Sequence, residues 1–218
     1  MKVGTDGVLL GAWVKVSGAN SVLDVGTGTG LIALMINQRL YNNVSICAID
    51  IDDNAIIQAR ENAERVNFDN IECICEAFQV YAGKCNKKYD LIISNPPYFS
   101  LSLQSPDKRR TLARHTDSLQ IDSILKLSFN LLSDDGRIAI IYPFDEKDSV
   151  LKIAEEIGLH VSRITDVYPT PSSKPKRVLF EFSRVKKQTE FSELIVETER
   201  HVYSPEFTEM VKDFYLKL

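Results

Sequence analysis

The chain is predicted to be an α/β protein: a mostly parallel seven-stranded sheet with helices on both faces and an antiparallel hairpin at its end. Three observations predict it. Short apolar runs alternate with amphipathic stretches of helical length, the first run empties into a glycine loop, and the last two runs are joined by a link too short for a crossover helix. At 218 residues and 44% hydrophobic content, the chain can bury a substantial core within one α/β domain. It is read as a single domain over 1–218, with 1–20 leading into a ligand site and 186–218 a C-terminal extension.

Taken in order, Val22-Leu23-Asp24-Val25 reads as a strand, Gly26-Thr27-Gly28-Thr29-Gly30 as a loop, and Leu31 to Ile36 as the start of a helix. A second strand, Val44 to Ile49, ends at Asp50, and an amphipathic helix follows from Asp53 to Val66. A third strand, Ile71 to Cys75, ends in Glu76-Ala77-Phe78. The fourth, Tyr89 to Ser94, is stopped abruptly by Asn95-Pro96-Pro97-Tyr98. A helix is expected near Asp117 to Leu132, then a turn at Asp134-Asp135-Gly136, a buried strand from Arg137 to Tyr142 and a helix from about Asp145 to Ile157. Leu159 to Val167 and Val178 to Val185 should pair as a hairpin around the proline-rich turn Pro169 to Lys176. Ser204 as N-cap and Pro205 at the first helical position predict a last helix running to the C-terminus.

The chemistry is concentrated at the strand ends, where open α/β sheets bind ligands. Glycines at alternate positions let a backbone turn sharply and approach a ligand closely. The spacing here, Gly26-x-Gly28-x-Gly30, differs from the Gly-x-Gly-x-x-Gly that cradles a dinucleotide pyrophosphate. It therefore argues against NAD and for a ligand with an amino-acid end and a nucleoside but no phosphate, such as S-adenosylmethionine. Asp50 is placed to accept hydrogen bonds from ribose hydroxyls and Ile51 to cover one adenine face, while Glu76 and the backbone amide beside Ala77 can read the adenine edge. Each acid alone reads as a solvated strand terminus; three strand ends in succession do not.

Two consecutive prolines remove two donors and hold φ at about −65°. The Asn95 amide and the Pro96 carbonyl then point out of the strand end, where both can accept from one exocyclic NH₂, with Pro97 completing the turn. Tyr98 adds an aromatic face, as a flipped base or a planar amide requires. The motif reads as a site for methylating a planar nitrogen. By itself it is also an ordinary turn.

Net charge is −4, which gives no general reason to expect a polyanionic partner. Two basic groups are nonetheless candidates for RNA phosphates: Lys108, Arg109, Arg110 and Arg114 beyond the Asn-Pro-Pro-Tyr motif, and Lys174, Lys176 and Arg177 in the hairpin turn. The bland reading of each is a solvated loop, and the first group is the stronger candidate for RNA because of its position just beyond the motif. Cys47, Cys73, Cys75 and Cys85 lack paired spacing and His115, His160 and His201 are scattered, so neither metal nor disulfides are expected. No apolar stretch has membrane-spanning length and no signal segment opens the chain, so a cytoplasmic monomer is expected.

On these residues the chain resembles the Rossmann-like S-adenosylmethionine-dependent methyltransferases, and within them the amino-methylating group marked by Asn-Pro-Pro-Tyr. The opening Met1-Lys2-Val3-Gly4-Thr5-Asp6-Gly7-Val8-Leu9-Leu10-Gly11-Ala12-Trp13 and the ending Tyr203-Ser204-Pro205-Glu206-Phe207 with Asp213-Phe214-Tyr215-Leu216 are similar to the bacterial valine-tRNA adenine N6-methyltransferases. The resemblance implies methylation of the adenine just after the anticodon, with Thr5 and Asp6 lining the cofactor's methionine end and Asp24 in the cofactor site. Family members carry a short segment ahead of the opening block, so the chain is expected to be N-terminally shortened or to start at an internal methionine. Three other functions fit the same motifs. Protein glutamine N5-methylation suits a planar carboxamide, although such enzymes usually add an N-terminal helical domain. Ribosomal RNA guanine N2-methylation is the second, and a noncatalytic RNA-binding module that retains the fold is the third.

Overall fold

A computed structural model describes residues 4–41, 44–98 and 119–215. In chain order its elements are α1 (Thr5–Trp13), β1 (Ser21–Val25), α2 (Leu31–Arg39), β2 (Ser45–Asp50), α3 (Asp53–Arg65), β3 (Ile71–Cys75), α4 (Phe78–Lys84) and β4 (Tyr89–Ser94). There follow α5 (Ile121–Leu131), β5 (Leu132–Pro143), α6 (Lys147–Ile157), β6 (His160–Tyr168), β7 (Arg177–Ser183), β8 (Glu190–Ile195), a two-stranded ribbon of β9 (Glu197–Glu199) and β10 (Val202–Tyr203), and α7 (Pro205–Val211).

The main sheet has the order β3-β2-β1-β4-β5-β7-β6-β8. Pairing is parallel from β3 across to β5, β7 runs antiparallel to both β5 and β6, and β8 lies parallel to β6. Consecutive strand residues feed opposite faces, as the pleat requires. Leu91, Ile93, Ala139 and Ile141 join α1, α2, α3 and α7 in one core layer; Ile92, Ile138 and Ile140 join α4, α5 and α6 in the other. Both faces of the parallel strands are covered, which is why those strands read as unbroken apolar runs.

Local signals set the helix ends. The Asp52 carboxylate accepts from the amides of Asn54 and Ala55 at 2.9 and 3.4 Å and so caps α3, and Ser204 Oγ accepts from Phe207 N at 3.0 Å to cap α7. The same Ser204 hydroxyl donates to the Ile195 carbonyl at 2.6 Å, tying α7 to β8.

Three sequence expectations are corrected and one helix, α1, is added. The sheet has an eighth strand, β8, whose first four residues are exposed; an edge strand with one buried side chain carries little hydrophobic signal. The helix α1 went unread because it is apolar nearly all round and carries two glycines, so it shows no amphipathic period. The helix α7 ends at Val211, with Lys212 to Phe214 in turn conformation. Finally, Asp134-Asp135-Gly136 lies within β5, where the pairing with β4 slips between Tyr89 and Leu91.

That slip needs a residue without a side chain. A Cβ on Gly136 would stand 2.8 Å from the Tyr89 carbonyl oxygen and 2.8 Å from Leu132 Cδ1. We expect Gly136→Ala to destabilise the fold by about 1–3 kcal/mol, seen as a lower urea midpoint at unchanged m-value. An unchanged midpoint would mean that the backbone there yields freely.

Candidate active site

The connections run β1 to β2 to β3 toward one edge, and the chain then returns to place β4 on the other side of β1. The C-terminal ends of β1 and β4 therefore flank the point where the winding reverses, which is where a crevice opens in such sheets. Val25 is in register with Ser94, and the buried Ser94 hydroxyl donates to the Val25 carbonyl at 2.8 Å. This places the glycine loop after Val25 directly beside Asn95.

The loop is shaped by its neighbours. The amides of Gly26 and Thr27 both donate to the Ile49 carbonyl at 2.9 Å, and Gly28 N donates to Asp50 Oδ2 at 2.8 Å. Gly26, Gly28 and Gly30 have φ of 71°, 57° and 84°, a region that side chains disfavour. A Cβ on Gly26 would meet nothing within 4 Å, whereas one on Gly30 would stand 3.3 Å from Ala59 Cβ. Gly30 thus lets α2 sit against α3, and Gly26 leaves room for a ligand.

Beneath the loop, Asp24 is fully buried. Its Oδ2 accepts from Thr27 Oγ1 at 2.6 Å and from Ala33 N at 3.2 Å, while Oδ1 has no hydrogen-bond partner among the described residues. Burial pushes its pKa up to about 7, opposed by the Thr27 hydroxyl and the Ala33 amide and reinforced by the Asp50 charge. Asp24 braces the loop from below and does not open onto its surface.

A cavity of about 260 Å³ lies at the ends of β1 to β4, lined by Gly26, Asp50, Ile51, Glu76, Ala77 and Pro97 among others. Four residues expected at the cofactor's nucleoside end meet there. Asp50 Oδ1 accepts from Asp52 N at 3.0 Å, so both its oxygens are fixed by backbone donors, and each keeps a second lone pair. Ile51 is 64% exposed, an aliphatic surface left uncovered beside the cavity. Glu76 Oε1 accepts from Lys84 at 2.7 Å, and its buried Oε2 has no partner among the described residues. The Glu76 amide is taken by the Asp50 carbonyl; Ala77 stands at the N-cap of α4, where backbone donors lack helical partners. An orphaned carboxylate oxygen on Glu76, a glycine-lined opening and an exposed aliphatic face fit a nucleoside.

On the β4 side, Pro96 is buried and Asn95 half-buried. The opening helix α1 abuts them: a Cβ on Gly7 would stand 3.7 Å from Asn95 Nδ2. The Tyr98 hydroxyl lies 2.8 Å from Asn95 Oδ1 and 3.2 Å from Asp6 Oδ2. Arg177 Nε donates to that same Asp6 oxygen at 2.8 Å, and the guanidinium carbon sits 4.8 Å from the centre of the Tyr98 ring. Tyr142 meets Tyr98 edge-on with ring centres 5.5 Å apart. Burial, with Asp6 nearby, holds the Tyr98 phenol above the ordinary tyrosine range, so it stays a proton donor.

Asp6 is engaged by Arg177 and Tyr98 beside Asn95, whereas Thr5, the first residue of α1, is exposed. Arg177 is half-buried against Asp6 and Tyr98, whereas Lys174 and Lys176 are exposed. Since β6 is antiparallel to β7 and β7 to β5, the hairpin turn falls at the same C-terminal end of the parallel strands as the glycine loop, and Arg177 stands opposite Pro143. That position was legible in the strand order but not in the local charge pattern. Lys108, Arg109, Arg110 and Arg114 lie outside the described residues.

A family model described as a methyltransferase domain matches residues 17–163. The chain is 48% identical over 219 residues to the tRNA1(Val) (adenine(37)-N6)-methyltransferase of Trichodesmium erythraeum, covering all of this chain and 92% of that protein. It is 49% identical over 220 residues to the protein of the same name from Parabacteroides distasonis, with the same coverage. Among solved structures, a predicted O-methyltransferase from Agrobacterium tumefaciens superposes with TM-score 0.72 at 17% identity over 95% of this chain and 96% of that one. A SAM-dependent methyltransferase from Aquifex aeolicus superposes with TM-score 0.54 at 18% identity, covering 76% and 82%.

The buried Asp24 makes stability depend on pH. Its carboxyl keeps a proton up to about pH 7 in the folded chain and loses it near pH 4 when unfolded. Between those values the folded state binds more protons, so stability falls as pH rises from about 4 to about 7. Asp24→Asn should flatten that fall, measured as urea midpoints of the ligand-free protein at pH 5 and pH 8. A difference between wild type and variant that is constant with pH would refute the assignment.

Proposed function

The chain belongs to the tRNA1(Val) (adenine(37)-N6)-methyltransferase family, and from that premise we propose that Asn95, Pro96, Pro97 and Tyr98 form the acceptor site for the adenine just after the anticodon of a valine tRNA. The activity is S-adenosylmethionine-dependent N6-methylation of adenine in tRNA. The observation that carries the residue assignment is the Val25–Ser94 register, which brings Asn95 against the glycine loop.

S-adenosylmethionine supplies an activated methyl group on a sulfonium. The residues that would hold it are Gly26, Gly28 and Gly30 along its length, with Asp50, Ile51, Glu76 and Ala77 around the nucleoside. Asp24 supports the loop from below.

Adenine N6 is a poor nucleophile because its lone pair is delocalised into the ring. Asn95 Oδ1 and the Pro96 carbonyl, each accepting one N6–H, favour a more tetrahedral nitrogen and stabilise the positive charge that develops on it. Pro96 and Pro97 fix the backbone that presents the carbonyl. Tyr98 orients the base with its ring. Orientation then supplies much of the remaining acceleration, and no strong base is needed, because the alkylated amine is acidic and releases its proton afterwards. Lys174 and Lys176, exposed at the same end of the sheet as the glycine loop, are the lysines proposed to meet tRNA phosphates. A single domain in the cytoplasm, where tRNA is modified, suits this reading.

Asn95→Ala is expected to lower kcat by about 10²–10³-fold, the scale of losing one preorganised polar group, with the cofactor dissociation constant nearly unchanged by calorimetry. Near-normal turnover would remove Asn95 from its role. Asp50→Ala should instead weaken cofactor binding at least about tenfold, since it takes away both the ribose acceptor and the Gly28 anchor; an unaltered titration would contradict that placement.

A further inference from the structure

We propose that Arg177, locked by Asp6, is a positioning residue for methyl transfer: it fixes Tyr98, and through Tyr98 the orientation of the Asn95 amide. The proposal rests on the tRNA adenine-N6 reading above.

An arginine kept for RNA phosphate would present its donor fork to solvent. Arg177 commits part of that fork within the protein. Its Nε goes to Asp6 Oδ2 at 2.8 Å, its Nη1 to the Lys176 carbonyl at 3.0 Å, and its guanidinium carbon sits over the Tyr98 ring. The side chains of Arg177 and Asp6 are 31% and 25% exposed, so the pair is partly shielded from competing water and salt.

The consequence for Asn95 follows from a single proton. The Tyr98 hydroxyl has one hydrogen and two acceptors in reach, Asn95 Oδ1 at 2.8 Å and Asp6 Oδ2 at 3.2 Å. Arg177 draws on that same Asp6 oxygen, which weakens it as a competitor and leaves the tyrosine proton on Asn95. A donor aimed at Oδ1 selects one of the two amide orientations, since oxygen and NH₂ are nearly identical in shape. The other orientation would set an NH₂ against the substrate's NH₂. Oδ1 retains a second lone pair for the substrate N–H. The Asp6–Arg177 pair therefore keeps an acceptor, and not a donor, facing N6.

The test compares wild type with Arg177→Gln, Arg177→Lys, Asp6→Asn and the Asp6→Asn/Arg177→Gln double variant on unmodified valine-tRNA transcript, with nucleoside mass spectrometry of the product. Steady-state constants are measured at several salt concentrations and rates are normalised to the folded fraction from thermal melts. The expected result is a fall in kcat of about 10–100-fold for Arg177→Gln and for Asp6→Asn. KM for tRNA and its salt dependence should stay within about twofold, Arg177→Lys should recover part of the loss, and the double variant should be no worse than the poorer single, as for residues that act as one unit. Three results would overturn the proposal: an intact kcat with raised KM and a salt slope reduced by about one, the signature of a phosphate contact; a kcat loss that vanishes on normalising to folded protein; or additive losses in the double variant. Failure of the wild type itself to form N6-methyladenosine in tRNA would instead bring down the functional reading, and this inference with it.

Discussion

Everything at the site depends on the parallel pairing of β1 with β4, clasped at its end by the buried bond from the Ser94 hydroxyl to the Val25 carbonyl. Two motifs far apart in the chain become neighbours through that register alone. A one-residue slip would turn every β4 side chain to the other face, sending Ile92 and Ile93 into the wrong core layers. Hydrophobic burial on both faces therefore sets the register, and the register sets Asn95 beside the glycine loop.

Around that pivot the polar groups divide into those the fold satisfies and those it leaves open. Asp50 is held by Gly28 and Asp52, Asp6 by Arg177, and Asn95 is met by Tyr98. Asp24 Oδ1 and Glu76 Oε2 are among the buried side-chain atoms without partners in the described residues. Of the two only Glu76 lines the cavity, where its free oxygen suits a ligand that brings hydrogen-bond donors; Asp24 stays under the loop.

Much of this was legible in the sequence. The strand ends at Val25, Asp50, Cys75 and Ser94 fall where the apolar runs stop, because a strand covered on both faces must be apolar throughout, and the hairpin of β6 and β7 followed from a connection too short to cross over. What escaped detection had weak or misleading local signals. The helix α1 is buried on nearly every side and so lacks an amphipathic stripe; β8 is an edge strand exposed for most of its length. Arg177 was grouped with Lys174 and Lys176 because charge clusters are read along the chain, whereas its pairing with Asp6 spans 171 positions and exists only through the sheet. The helix α1 carries Asp6 and Gly7, so the element hardest to read from pattern is the one that packs against Asn95.

The central claim is that the pocket formed by Asn95, Pro96 and Tyr98 accepts the amino group of an adenine in tRNA. The most direct measurement is transfer of labelled methyl from S-adenosylmethionine to a valine-tRNA transcript, beside a transcript whose adenine after the anticodon is replaced by guanine, with nucleoside mass spectrometry of each product. The account predicts N6-methyladenosine in the first and no label in the second. Equal labelling of both transcripts, or label recovered as a methylated guanine, would contradict it.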